Sequence, residues 1–278
     1  MKKLPHLLAV VAALAAASAP AGPVAPDKSG GTLFHPVPAA LLREMSTDRP
    51  DKTESPFTVD AGHFQLETDL ASYTTDRADG ARRETWNVAP FNLKAGLLGN
   101  VDLQVVFDSY LRERTAEGVR SGVGDLTLRL KVNLWGNDGG RTAFAVMPFI
   151  SLPTSSAQLG GDSVQGGVIL PLAVELPGGW SLGLMTEVDF LRDEAGAGHH
   201  AEFINTITFS HEIAGELGGY MEFFSAVSTE SGARWVGTVD LGLTYKLTAN
   251  IQLDAGCNFG VTRAADDLNP FVGLSWRF

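Results

Sequence analysis

The chain closes with NPFVGLSWRF (residues 269–278), and the fold turns on how that stretch is read. Counting back from the end, Phe278, Trp276, Leu274 and Val272 share one parity, while Arg277, Ser275 and Gly273 share the other. Side chains of a β-strand alternate between two faces, so this is a strand with an apolar and a polar face that runs to the final aromatic. Chain ends usually fray. An aromatic strand at the end is expected where the last strand has to close something.

The same alternation recurs upstream. Apolar/polar segments begin at GHFQLETDLASY (62–73) and continue through ETWNVAPFNLKAGLL, NVDLQVVFDSYLRER, GVGDLTLRLKVNLW, RTAFAVMPFISL, VQGGVILPLAVEL, WSLGLMTEVDFL, AEFINTITFSHEI, ELGGYMEFFSAVS, RWVGTVDLGLTYKL and NIQLDAGCNFGVT. With the last strand this makes about twelve, mostly about 10 to 14 residues long. Soluble strands average about 5–6 residues, whereas one tilted across a bilayer needs about 9–11. Length favours a membrane barrel.

The connections carry the stronger signal. GN (99–100), GNDGG (136–140), PGG (177–179), AGE (214–216) and TAN (248–250) are tight. They alternate with longer polar loops at 74–83, 114–122, 153–163, 192–200, 228–234 and 262–269. Short periplasmic turns alternating with long external loops are the rhythm of an outer-membrane barrel, with both termini on the periplasmic side. In the fourth strand Leu126, Leu128, Leu130, Val132 and Leu134 oppose Asp125, Thr127, Arg129, Lys131 and Asn133. A soluble sandwich would also alternate, but it would not need this length or this rhythm. The expected fold is all-β: a transmembrane antiparallel up-and-down β-barrel of about twelve strands over residues 61–278. Strand one closes on strand twelve, and Trp276 and Phe278 lie in the periplasmic aromatic girdle.

MKKLPHLLAVVAALAAASAPAG at the start has Lys2 and Lys3, an apolar run from Leu7 to Ala17, and small residues at Ala19 and Ala21. It reads as a secretory signal over residues 1–21 and predicts export to the bacterial outer membrane. Residues 22–60 are Pro-rich and then charged, and read as a flexible periplasmic arm. Its DRPDKTESP stretch is a candidate to fold up into the lumen. Cys257 is the sole cysteine, so no internal disulfide forms. The formal charge of −11 makes nucleic acid a poor partner.

Catalytic and metal chemistry find little support. His199 and His200 beside Glu202 could touch a metal, but the spacing offers no further ligand nearby, so a solvated loop is the expectation. RAADDLN (263–269) has adjacent carboxylates without the EF-hand ligand spacing. His211 falls on the lipid-facing parity while Ser210 points inward, so no hydrolase triad assembles. The expectation is no catalytic residue, no metal and no cofactor.

The lumen is the candidate functional surface. Inward parity collects Glu67, Asp69, Asp102, Asp108, Asp125, Glu175, Glu187, Asp189, Glu202, Glu222, Asp240 and Asp254, against Lys94, Arg112, Arg129, Lys131, Lys246 and Arg277. This acidic excess predicts a lumen that favours cations. Twelve strands lie between the filled eight-stranded barrel and the open sixteen-stranded one, so a narrow path and a closed barrel both remain open.

REMSTDRPDKTESPFTVDAGHFQLETD (43–69), GVGDLTLRLKVNLWGNDGG (122–140), PFISLPT (148–154) and residues 241–278 resemble a Gram-negative outer-membrane transporter family labelled for the meta-pathway of phenol degradation. The resemblance covers residues 43–278. It implies a barrel in contact with outer-membrane lipid that passes small solutes, aromatic or hydrophobic compounds among them. It further implies assembly machinery that reads the terminal aromatic strand, with Trp276 and Phe278 as the signal. It brings no catalytic residues. A monomer is expected, with a non-conducting structural or adhesion barrel as the rival.

Overall fold

The computed structural model describes residue 28 and residues 30–78, 81–193 and 198–278. The secretory segment 1–21 and residues 22–27 of the arm lie outside these. Fifteen strand segments follow one another: β1 (Phe64–Ala78), β2 (Ala81–Val88), β3 (Phe91–Leu98), β4 (Val101–Phe107), β5 (Tyr110–Thr115), β6 (Gly118–Gly122), β7 (Leu126–Trp135), β8 (Thr142–Leu152), β9 (Gln165–Glu175), β10 (Trp180–Arg192), β11 (His199–Ala214), β12 (Leu217–Ser228), β13 (Val236–Thr248), β14 (Ile251–Gly260) and β15 (Leu268–Arg277). Three pairs, β2/β3, β4/β5 and β6/β7, are single wall strands broken near the long-loop end. The first break falls at Ala89–Pro90, where proline has no N–H for the ladder and Ala89 takes φ 53°. Counted that way the wall has twelve strands.

The barrel is closed. All neighbours are antiparallel, and β15 pairs with both β14 and β1. The β1–β15 seam runs from Gln65↔Arg277 to Thr75↔Leu268 with one bulge between Asp69 and Ala71. Phe278 extends it: its N–H donates to Phe64 O at 2.9 Å and its carbonyl accepts from Phe64 N at 3.0 Å. This accounts for the aromatic terminus, since the last strand has two partners to satisfy and leaves no free edge at the seam. Among the described residues no helix is long and apolar enough to cross a membrane.

The wall is apolar outside and polar inside, the reverse of a soluble core. Leu103, Leu130, Phe223, Leu241, Leu243, Leu253 and Val272 are exposed. Gln65, Glu67, Lys94, Asp102, Gln104, Lys131, Glu222, Asp240 and Ser275 are buried. Aromatics flank the apolar band, as in outer-membrane barrels. Trp135, Trp180, Tyr245, Trp276 and Phe278 stand toward the short-turn end, and Trp86, Tyr110 and Trp235 toward the long-loop end. A sandwich with a dry apolar interior does not account for this distribution.

The arm differs from the sequence expectation over residues 43–60. That segment is an ordered strand of chain inside the barrel, holding one 3-10 turn just upstream at Ala39–Leu41. Its composition has the low hydrophobicity of a disordered linker. Its charges, however, have partners on the inner wall, and those partners order it.

Candidate functional site

The segment from Arg43 to Asp60 crosses the lumen, and most of its charged groups meet an inward row of the wall. Asp48 is the centre. Its carboxylate accepts from Lys131 Nζ at 2.7 Å and 3.0 Å, from Ser55 N at 2.9 Å, and from Lys94 Nζ. Lys94 also reaches Glu67 at 2.5 Å, and Glu67 in turn accepts from Asp48 N. All four side chains are buried. Burial pushes the Asp48 carboxyl up, but the ammonium groups of Lys131 and Lys94 outweigh it and hold that group well below the usual carboxylate range.

The remaining contacts spread around the wall. Arg49 bridges Asp69 (2.5 Å) on β1 and Asp254 (2.7 Å) on β14, with Phe271 under its guanidinium at 5.6 Å. Gly273 makes room for it: a Cβ there would stand 2.1 Å from Arg49 Nη2. Lys52 Nζ meets Asp240 at 3.1 Å and the Phe224 ring at 4.4 Å, while its N–H donates to Glu222 at 2.9 Å. The Thr53 hydroxyl donates to Glu222 and lies 2.6 Å and 2.7 Å from those of Thr206 and Thr208. Glu54 pairs with Arg129 at 2.5 Å. Burial and the negative Asp48 nevertheless push its carboxyl up to about 7, against the pull of Arg129. Asn133 donates to Pro56 O, and Asp102 accepts from Val59 N. Asp60 closes the segment against Arg43, Lys28 and Arg277. The arm therefore ties to β1, β3, β4, β7, β11, β12, β13, β14 and β15. It stands across the lumen.

Of the sequence-derived lumen residues, Glu67, Asp69, Lys94, Asp102, Arg129, Lys131, Glu222, Asp240 and Asp254 thus meet on this one segment. Lys246 pairs with Glu44 at the short-turn mouth. Asp108 accepts from Asn87 (2.7 Å), and Asp125 accepts from Ser155 N (2.9 Å) and Gly161 N (2.7 Å), which folds loop 153–163 against the long-loop end. Glu187 and Asp189 share the inward row of β10, and Asp189 stands opposite Glu202 on β11.

Arg112 is a correction. Asp102, Gln104 and Asp108 lie on one parity, but the break at Asp108–Ser109 shifts the alternation by one residue. Exposed positions in β5 are therefore Tyr110, Arg112 and Arg114. Arg112 pairs with the exposed Trp86, on the outer face beside the long-loop girdle. Parity counted through an unrecognised bulge inverts every later residue of the strand.

Sequence reasoning missed an apolar sector inside the lumen. Met147, Ile169 and Met185 form a buried cluster on the inward rows of β8, β9 and β10, with Phe149 and Ile204 packed against it. Pro171, Ala143 and Ala145 continue it. Its signal was available: β8 and β9 read apolar on both parities, which a strand between lipid and water would not. The arm covers this sector from Glu54, whose N–H faces Met185 Sδ at 3.4 Å.

Among the described residues, chambers lie toward both ends of the lumen. One of about 530 Å³ opens toward the short turns, between the arm and β10–β14, walled by Ser181, Gly183, Thr208, Ser210, Gly218 and Thr244. The other, about 330 Å³, lies at the long-loop end between Thr74, Arg83, Thr85, Glu113 and Leu159. His211 is engaged at a turn, where its Nε2 lies 3.0 Å from Gly178 O and its ring packs on Trp180.

The family described as "Putative MetA-pathway of phenol degradation" matches residues 47–278. No curated protein sequence matches the chain. Among solved structures, an outer membrane channel from Pseudomonas putida F1 is similar at TM-score 0.62 and 14% identity, covering 84% of this chain and 100% of that one. The NanC porin is similar at TM-score 0.52 and 9% identity, covering 76% of this chain and 98% of that one. At these identities the likeness is one of fold.

Proposed function

Since the chain belongs to the phenol-degradation family whose description matches residues 47–278, we propose that it is a passive outer-membrane channel for small solutes, aromatic compounds among them, whose path is closed by its own arm. The observation that carries this reading is the segment 43–60 standing between two chambers. A barrel with only a structural role would not need a separate element at the waist. The apolar sector of Met147, Phe149, Ile169, Met185 and Ile204 beneath that element suits a solute with an aromatic face, and the thioethers make favourable sulfur–aromatic contacts. The solved channel from Pseudomonas putida F1 shares the barrel and supports the reading by analogy.

On this reading residues 1–21 direct export, the short turns face the periplasm, and Trp276 and Phe278 present the final strand to the assembly machinery. The barrel works as a monomer without cofactor. Conductance favours cations, because Glu187, Asp189 and Glu202 line the long-loop half of the lumen. The dense ion pairing of the arm favours one rival, a permanently sealed structural barrel. Reconstitution separates them: the folded barrel in planar bilayers should show openings whose reversal potential in a salt gradient is cation-selective, and liposomes carrying it should take up a labelled aromatic solute faster than empty ones. Electrical silence together with unchanged uptake would leave the sealed barrel.

A further inference from the structure

At the long-loop rim, three side chains from two different loops converge. Asp193 follows the last residue of β10, His200 is the second residue of β11, and Glu230 lies in the connection after β12. His200 Nδ1 stands 3.0 Å from Asp193 Oδ1 and 3.8 Å from Glu230 Oε2. One ligand atom from each of the three lies within 4.8 Å of the others. The His200 side chain is only 9% exposed, whereas its neighbour His199 is exposed on the opposite face. From sequence His199, His200 and Glu202 were the visible candidates. The hairpin register places Glu202 on the wall below and brings Asp193 and Glu230 to His200 instead.

We propose that Asp193, His200 and Glu230 form a binding site for a divalent transition-metal ion, which pins the β10–β11 loop to the β12–β13 loop. One imidazole nitrogen and two carboxylates are the donor set of an exchangeable zinc-type site, with coordination positions left to water. Zinc–nitrogen and zinc–oxygen bonds near 2.0–2.2 Å in tetrahedral geometry set donor atoms about 3.4 Å apart. The separations of 3.0 Å and 3.8 Å from His200 Nδ1 bracket that value. A second observation lies lower on the same inward row of β10. Asp189 is 8% exposed, its Oδ1 has no hydrogen-bond partner, and it stands opposite Glu202. These carboxylates add to the negative field below the rim, which draws cations in from the external medium.

The test uses the full folded barrel in detergent, freed of metal and titrated with Zn²⁺ by calorimetry and with Co²⁺ by visible absorption. Saturable one-to-one binding and a cobalt d–d band are expected. His200→Gln should lower affinity by at least the about 10- to 100-fold that even outer contacts of a metal site are worth, with folding verified by heat-modifiable mobility. Glu230→Gln should weaken it as well. His199→Gln, one residue away and outward, should bind as the parent does. Bound Zn²⁺ should also slow proteolysis after Arg192 in the parent and not in His200→Gln. No saturable binding, equal affinity in His200→Gln, or loss of binding in His199→Gln would overturn the site.

Discussion

Replacing Lys131 with Met should release the arm while sparing the barrel. Lys131 is fully buried, and its ammonium donates to both Asp48 oxygens at 2.7 Å and 3.0 Å. Met keeps the length of the side chain and removes the charge. Asp48, Glu67 and Asp102 are then left with Lys94 as their nearby cation. Removing one partner of a buried ion pair costs about 3–5 kcal/mol, because the charge left behind stays desolvated. Here that cost belongs to the docked arm, since water can solvate the same groups once the arm departs. At about 1.4 kcal/mol per factor of ten, the docked-to-released ratio should fall by a hundred- to a few-thousand-fold. Hydrogen exchange reads it directly, for the amides of Asp48, Ser55 and Val59 are protected by side-chain carboxylates of this network. Their protection should collapse in Lys131→Met while the β10–β11 ladder stays slow. Adding Asp48→Asn removes the stranded charge and should restore most of the protection, giving a coupling energy of opposite sign to the single loss. Unchanged arm exchange in Lys131→Met, or a double variant worse than both singles, would refute the ionic account of docking.

The arm should also respond to pH. Glu54 titrates near 7 when docked and near 4.5 when free, so its contribution favours docking fully below about 4.5 and is lost as pH rises through 7. Asp48 works the other way: its group lies below the usual range when docked, so its stabilisation is present throughout this window and is lost only in stronger acid. Arm protection factors, with the intrinsic exchange rate divided out, should therefore fall between pH 5 and 8 and stay level in Glu54→Gln; a level parent profile would remove Glu54 from the account. Leu130→Arg should lower the yield of heat-modifiable barrel, since a lipid-facing cation near mid-bilayer costs about 2–4 kcal/mol. Arg129→Leu should instead leave the barrel folded and loosen Glu54; the reverse ranking would invert the faces of β7. Deleting Phe278 removes two backbone bonds to Phe64 and the ring beside Trp276 and Phe64, and should reduce folded barrel in membranes as assayed by gel mobility.

The barrel was legible because each wall strand states its own answer: alternation, length and turn length are local, and in the run from Leu126 to Trp135 they agree without reference to any neighbour. What was not local was not legible. Arg112 was misplaced because nothing in FDSYLRER marks the break at Ser109. DRPDKTESP could be named only as a candidate to enter the lumen, because it looks like a linker until the wall supplies Lys94, Asp254 and Asp240 as its partners. Of the acidic groups that parity collected, Asp69, Asp240 and Asp254 are spent on Arg49 and Lys52. The rim cluster joins residues from three strand ends, and only the hairpin registers bring Asp193 and Glu230 to His200.

The account rests on the arm closing a path that exists through the barrel. Thr53 and Thr208, whose hydroxyls lie 2.7 Å apart, allow a direct test. A Thr53→Cys/Thr208→Cys pair in a Cys257→Ser background can lock the arm to β11 by a disulfide, and single-channel conductance can be recorded before and after reduction. Oxidised barrels should be silent, and reduction should bring openings like those of the Cys257→Ser parent. Equal conductance in the oxidised and reduced states would contradict the claim, as would silence in every state including the parent.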